Sequence, residues 1–287
     1  MSLEIDEEFV KECIKPRRAS SHKGENGVVM VVGGGWMYHG APFLAAMAAL
    51  RCGVDLAYIA APEKVVPSIR ALSPTIIAIP LTDVKLTKGA VRRALKMLSK
   101  VDAVVIGPGL ESGSEPGIEL LVEEAMALER GIVLDATALY PGILKHVSGG
   151  KVVLTPHAGE FKRLFGVEVP RELEERVKLV MESAKRIKVT ILLKGRVDII
   201  SDGVEAAINR TGSPAMTTGG TGDVLSGIVA AFLAWGLDPF KAAASAAWIN
   251  GKAGELAASR MGLHIIATDL IDEIPEVMKK FDRITED

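Results

Sequence analysis

The chain has 287 residues, 48% hydrophobic and 24% charged, with a formal net charge of −2. That length and apolar content suit one large α/β domain or two small ones with a substantial core. The missing basic excess argues against nucleic acid as a partner, and no apolar run reaches the roughly 18 residues of a membrane helix.

Residues 1–27 are polar and are expected to lie against the surface ahead of the first strand. Short apolar runs then alternate with helical patterns. Strands are predicted at Val28–Val32, Asp55–Ala60, Ile76–Ile79, Ala103–Ile106, Ile132–Leu134, Val152–Leu154, Thr190–Leu193 and Val197–Ile200. Helices are predicted at Ala41–Cys52, Lys88–Leu98, Glu115–Glu129, Glu172–Ile187, Gly222–Trp235 and Pro239–Met261. Continuous runs such as Val28-Val29-Met30-Val31-Val32 suit parallel strands buried on both faces. Asp238 followed by Pro239 is a strong helix start. Val197–Ile200, a turn at Ser201-Asp202-Gly203 and Glu205–Asn209 read as a β-hairpin added to the parallel strands. The alternation predicts a three-layer α/β fold, a mainly parallel central sheet with helices on both faces. No linker, repeat or low-complexity tract divides residues 1–287, so a single domain is expected.

Met1 to Glu8 are acidic rather than basic-then-apolar, so no secretory signal is expected and the cytoplasm is the expected location. Asn209-Arg210-Thr211 is then a chance match to a glycosylation acceptor. Cys13 and Cys52 lack metal-ligand spacing and suggest no disulfide framework, and Cys52 reads as a small core residue. The absence of Gln and the presence of only three Asn, beside abundant Glu, Lys and Arg, suggest a heat-loving source.

The most informative stretch runs from Asn209 to Asp223 and ends in Gly219-Gly220-Thr221-Gly222-Asp223. Val224, Leu225, Ile228, Val229, Phe232 and Leu233 follow at helical spacing, so the turn delivers its N–H groups at a helix N-terminus that favours an anion. Asp223 sits in the same first turn. An anion cradle beside one carboxylate suits phosphoryl transfer, with the carboxylate taking the proton of an acceptor hydroxyl. Starting from a reference near 3.9, Asp223 is expected to be mostly ionised at pH 7. A glycine turn with Asp223 as N-cap fits the local pattern equally well.

Other glycine-rich or polar corners end the predicted strands, where ligands collect. They are Gly33-Gly34-Gly35, Gly107-Pro108-Gly109, Asp135, Thr155-Pro156-His157-Ala158-Gly159-Glu160 and Lys194-Gly195. Gly33-Gly34-Gly35 fails the dinucleotide fingerprint, since Tyr38 holds the third glycine's place and no acidic residue ends the next strand. Walker-type loops are also missing, which disfavours a conventional nicotinamide dehydrogenase. His157 is either a substrate contact or a capped loop histidine. Lys194 either touches a nucleotide phosphate or snorkels at the sheet edge, and Asp135 either caps or binds. Trp36 and Tyr38 either pack or line a pocket. Ser20 has no histidine-triad context. With no second His or Cys near His157, no protein-held transition metal is expected.

Taken in order, these corners resemble the ADP/ATP-dependent NAD(P)H-hydrate dehydratase family, a branch of the ribokinase-like superfamily. The resemblance runs from His22-Lys23-Gly24 to the last helix, through Tyr38-His39-Gly40-Ala41-Pro42, Gly107-Pro108-Gly109-Leu110, Thr155 to Glu160, Leu193-Lys194-Gly195 and Gly219 to Asp223. It implies a ribokinase-like fold and repair of NADHX and NADPHX, hydrated forms of the reduced nicotinamide cofactors. The hydrate hydroxyl would be phosphorylated by ADP or ATP, and loss of phosphate would restore the dihydronicotinamide. By resemblance, Asp223 deprotonates the hydroxyl while Gly220, Thr221 and Gly222 hold the phosphoryl group. Lys194, Gly195, Arg196, Val197, Asp198 and Gly222 meet the nucleotide. Ala41, Gly107, Gly109, His157 and Asp223 meet the hydrate. Mg²⁺ is expected with the phosphates, held by substrate and water.

The chain departs from the family pattern twice, with Thr137 where a second Asp often follows Asp135 and Ala158 where Pro often follows the motif His. Family members are often fused to an epimerase domain for which this chain has no room, so a separate epimerase is an expected partner. A homo-oligomer is also expected, with the Ala-rich helix Ala242–Ala258 available to pack against a neighbour. The alternatives are a small-alcohol kinase of the same superfamily, of the thiazole or hydroxymethylpyrimidine type, and a nucleotide-binding regulator that has lost catalysis.

Overall fold

Val28–Val32 is a strand with every side chain buried, as its unbroken apolar run requires. The computed structural model describes residues 2–286. Its elements begin with β1 (Leu3–Glu4), α1 (Glu7–Cys13), β2 (Arg17–Arg18), β3 (Val28–Val32), α2 (Gly40–Arg51), β4 (Leu56–Pro62), α3 (Val66–Leu72) and β5 (Ile77–Leu81). The middle of the chain forms α4 (Arg92–Leu95), β6 (Ala103–Ile106), α5 (Glu115–Ala127), β7 (Gly131–Leu134), β8 (Val152–Leu154), α6 (Ala158–Phe165) and α7 (Leu173–Ile187). The remainder forms β9 (Thr190–Leu193), β10 (Asp198–Ser201), β11 (Ala206–Asn209), α8 (Thr221–Ala234), α9 (Pro239–Met261), α10 (Ala267–Met278) and β12 (Ile284–Thr285).

Ten strands form one sheet in the order β1-β11-β10-β9-β8-β7-β6-β3-β4-β5. From β9 to β5 every pair is parallel, while β10 runs antiparallel to β9 and β11, as the appended hairpin requires. Pro80 lies in edge strand β5, where a missing N–H costs no ladder bond. Side chains alternate across the sheet. Val29 and Val31 join a core with α2, α8, α9 and α10, while Met30 and Val32 join a second core with α5, α6 and α7. This is the expected three-layer arrangement.

The N-terminal segment is more integrated than its polarity suggests. Ile5, Val10, Cys13 and Ile14 are buried, and β1 extends the sheet beside β11. Met1 lies outside the described residues. The predicted helix Lys88–Leu98 is instead one short helix, Arg92–Leu95, followed by a 3₁₀ turn at Leu98–Lys100. Ala90, Val91, Ala94 and Leu98 are all buried, so the apolar periodicity marks a buried face without a continuous helix. Ala242, Ala243, Ala246, Ala253 and Ala257 are buried within the chain itself, so those small residues do not offer a surface to a neighbour. Cys13 and Cys52 are buried free thiols. Among the described residues, no helix is long and apolar enough to cross a membrane.

Helices α2 and α8 pack closely at Gly227, where a Cβ would stand 2.0 Å from the Ala45 carbonyl oxygen. That contact sets the position of α8, whose N-terminus enters the site. Gly227→Ala must push the two helices apart, at a cost of about 1–3 kcal/mol. Chemical denaturation should show the midpoint falling by that equivalent, and a midpoint at the wild-type value would place the helices further apart than described.

Candidate active site

Strand order reverses between β3 and β6, since the chain proceeds from β3 toward β5 on one side and from β6 toward β9 on the other. A crevice at the carboxyl ends of such strands is where open α/β sheets bind ligands. Both glycine corners lie there, joined by a hydrogen bond from Gly34 N–H to the Pro108 carbonyl at 2.8 Å. A Cβ on Gly107 would overlap the Asp135 carbonyl oxygen at 1.8 Å, and one on Gly109 would stand 3.3 Å from Ala41 Cβ. These corners therefore bring Ala41, Gly107 and Gly109 to one rim. Trp36 and Tyr38 are exposed at 72% and 62%, so neither is the packing residue that a large aromatic usually is.

The N-cap of α8 is Gly220, in the left-handed region at φ +95°, and not Asp223. Val224 N–H makes the bond back to the Gly220 carbonyl at 3.1 Å, so the N–H groups of Thr221, Gly222 and Asp223 precede the helical ladder. The Thr221 hydroxyl donates to the Met216 carbonyl at 3.1 Å and ties the turn to the preceding loop. Asp223 is left without a capping task, in the first turn of a helix whose dipole favours anions.

Beside this turn lies a cluster of charges. Lys194 Nζ donates to Asp135 Oδ1 at 2.8 Å and stands 3.7 Å from Glu160 Oε2. A Cβ on Gly222 would lie 3.3 Å from the same nitrogen, so the ammonium faces the helix N-terminus. Burial opposes the charge of Lys194, but Asp135 and Glu160 outweigh it and hold its pKa above the ordinary lysine value. The reading of Lys194 as snorkelling is thereby excluded. Burial pushes the Asp223 carboxyl up to about 7, with Asp135 and Glu160 adding to the rise and Lys194 opposing it. The sequence-based expectation of an Asp223 mostly ionised at pH 7 is corrected: near neutrality the two protonation states are comparably populated.

His157 unites the two readings open to it. It is the N-cap of α6, and its Nδ1 accepts from Gly159 N–H at 3.0 Å and Glu160 N–H at 3.3 Å. Glu160 returns a bond by accepting His157 N–H at 2.9 Å, a capping box with an imidazole as its first member. The side chain remains 59% exposed, with Nε2 only 3.6 Å from Glu160 Oε1. A backbone bridge pairs His157 with Lys194, which places both at the ends of neighbouring strands.

Of the predicted nucleotide segment, Gly195 and Arg196 are exposed beyond β9 and Val197 is half-buried. Asp198 is committed to the fold, accepting from Gly195 N–H at 2.9 Å and Asn209 Nδ2 at 3.0 Å. Burial raises it to about 6 against those bonds. It therefore shapes the loop, with one carboxylate oxygen held by the backbone and the other by the Asn209 side chain.

The whole of this geometry falls within residues 29–276, which match the family profile of NAD(P)H-hydrate dehydratases. The chain belongs to that family. A curated relative from Cenarchaeum symbiosum, an ADP-dependent (S)-NAD(P)H-hydrate dehydratase, is 49% identical over 98% of each chain. A bifunctional NAD(P)H-hydrate repair enzyme from Pyrobaculum aerophilum is 50% identical, over 92% of this chain and 53% of its own length. Among solved structures, the Bacillus subtilis ADP/ATP-dependent NAD(P)H-hydrate dehydratase co-crystallised with ATP/Mg²⁺ superposes with a TM-score of 0.83 at 29% identity, covering 98% and 99% of the two chains. Arabidopsis thaliana ribokinase shares the fold alone, with a TM-score of 0.61 at 12% identity over 88% and 99%.

The family's two departures in this chain find local explanations. Ala158 occupies the first position of α6, where Pro is favoured because its missing N–H is free anyway, so Ala is an easy replacement. Thr137 donates its hydroxyl to the Leu110 carbonyl at 2.8 Å and so braces the corner after β6. Sequence reasoning overlooked Glu160 as a charge in the site, although its spacing three residues after His157 carries the capping-box signal. It also overlooked Arg176, whose buried Nε has no partner and whose guanidinium lies beside Gly195. No local sequence signal separates Arg176 from the other charges of α7.

Cap and contact can be separated at position 157. His157→Ala removes both and should cost about 1 kcal/mol of stability, whereas Asn restores the capping oxygen. The expectation is that both variants raise KM for the hydrate, while His157→Asn melts like wild type. A wild-type KM in the Asn variant would leave His157 as a cap alone.

Proposed function

We propose that this chain uses ADP or ATP to dehydrate NADHX and NADPHX, returning them to NADH and NADPH. The observation that carries the reading is the Asp223 carboxyl, raised to about 7, inside a helix N-terminus that presents N–H groups to an anion. A base poised near the working pH combines the right protonation state with a useful driving force. The name of the 49% identical relative favours ADP as the donor.

In this reading Asp223 takes the hydroxyl proton as the hydrate oxygen bonds to the terminal phosphorus, and the bond to the departing nucleotide breaks. The N–H groups of Gly220, Thr221 and Gly222 hold the equatorial oxygens, while Lys194 adds a fixed positive charge. The C–O bond then breaks with phosphate as leaving group, the neighbouring carbon loses a proton, and the ring double bond forms. Ala41, Gly107, Gly109 and His157 would line the hydrate side, and Gly195 to Asp198 with Gly222 the nucleotide side. Mg²⁺ would travel with the nucleotide, bound by phosphate oxygens and water and neutralising phosphate charge. Among the described residues, no group of three or more His, Cys, Asp or Glu is placed to cage an ion. A small-alcohol kinase would stop at the first step, and a silent regulator would need neither Asp223 nor Lys194 so placed.

Asp223→Asn keeps the shape of the side chain but cannot accept the proton. Its kcat for phosphate release from NADHX should fall about 10²–10⁴-fold, with nucleotide affinity little changed. Retention of more than about a tenth of wild-type kcat would remove Asp223 from the chemistry.

A further inference from the structure

At the opposite pole lies a cavity of about 540 Å³, walled by the segments that open and close the chain. Its lining includes Asn26 ahead of β3, Gly53 ahead of β4 and Trp235 at the end of α8. Helix α8 spans 14 residues, which separates this cavity from the anion cradle at its other end by about 21 Å. Two short parallel strands, β2 and β12, close the rim.

The lining carries Lys15, Arg17, Arg18, Arg51, Lys279 and Arg283 against only Glu25 and Asp282, in a chain whose net charge is −2. Lys15, Arg17 and Arg283 each donate to a carbonyl oxygen, a partner that does not offset their charge. Lys15 Nζ donates to the Trp235 carbonyl at 2.9 Å, Arg17 to the Gly53 carbonyl at 2.5 Å, and Arg283 to the carbonyls of Lys11 and Ile14. Two flanking carboxylates form longer ion pairs with these cations, Asp55 at 3.9 Å from Arg17 and Asp272 at 3.8 Å from Arg51. Closer pairs join Arg18 to Glu25 at 3.0 Å and Lys279 to Glu276 at 2.6 Å. Lys15 also covers the negative end of α8, which would otherwise repel an anion. Trp235, Pro275 and Met278 give the wall an apolar part.

We propose that this cavity is a second binding site for a nucleoside oligophosphate, separate from the reaction centre. The guanidinium and ammonium groups would take the phosphates, guanidinium in its bidentate geometry. The Trp235 wall would take the base, and the volume falls within the range of small-ligand pockets. Because the lining joins residues 14–26 to residues 275–284, the ligand would tie the two chain ends together.

Trp235 reports on the site directly. In a Trp36→Phe/Trp248→Phe background, which leaves Trp235 as the one tryptophan of the sequence, ADP and pyrophosphate are titrated while emission is followed. Both should bind, ADP the more tightly because it also covers the indole wall. Arg18→Gln/Arg51→Gln/Lys279→Gln, three surface changes outside the reaction centre, should weaken both at least about tenfold and leave turnover unchanged. Glu25→Gln, which removes a negative charge from the lining, should tighten both. Equal affinities across these variants, or no change in emission on titration, would overturn the site. ADP binding no tighter than pyrophosphate would overturn the nucleotide assignment.

Discussion

The Lys194–Asp135 ion pair is the contact on which the site depends. It spans from the end of β9 to the end of β7, across β8, and sets an ammonium against the first turn of α8. The pair is nearly enclosed, with side-chain exposures of 18% and 3%, so its separation would leave a charge in a poor solvent. Glu160 completes it as a third member, and Glu160 is itself held by the His157 capping box. Three strand ends and the N-termini of α6 and α8 are thereby locked in a single charged layer.

That layer has an electrostatic consequence for Asp223. Two carboxylates and one ammonium surround it, and the helix dipole favours its charge by about 0.3–1 kcal/mol, less than one pKa unit. Burial and the neighbouring carboxylates outweigh both favourable influences, and the carboxyl rises to about 7. The anion cradle and the base are thus set by the same few residues. A phosphate entering the cradle meets N–H groups and Lys194, while an acceptor hydroxyl meets a carboxylate poised to take its proton.

Much of this was legible in the sequence, because the signals are local. Unbroken apolar runs marked the parallel strands, and the Gly219-to-Asp223 run marked a helix start to within one residue. What stayed hidden was tertiary. Helix α10 carries an internal Pro275, and α6 is only 8 residues long, so neither stands out as a periodic pattern. The pairing of Lys194 with Asp135 joins residues 59 apart in sequence, which no spacing rule anticipates. The elevation of Asp223 follows from that pairing and from burial, so composition and motif could not supply it. Asp198 has a task that its motif did not suggest, since its carboxylate secures the loop predicted to meet the nucleotide.

The dependence of kcat/KM on pH, measured for wild type and Asp135→Asn, tests the tuning of Asp223 most directly. A general base must be deprotonated to act, so activity of the wild type should rise through an acid limb near pH 7. Removing the Asp135 charge deletes one cause of the elevation and leaves the Lys194 ammonium to favour the carboxylate, so the limb should move to lower pH. A limb that stays in place, or moves upward, would show that this charged layer does not set the base.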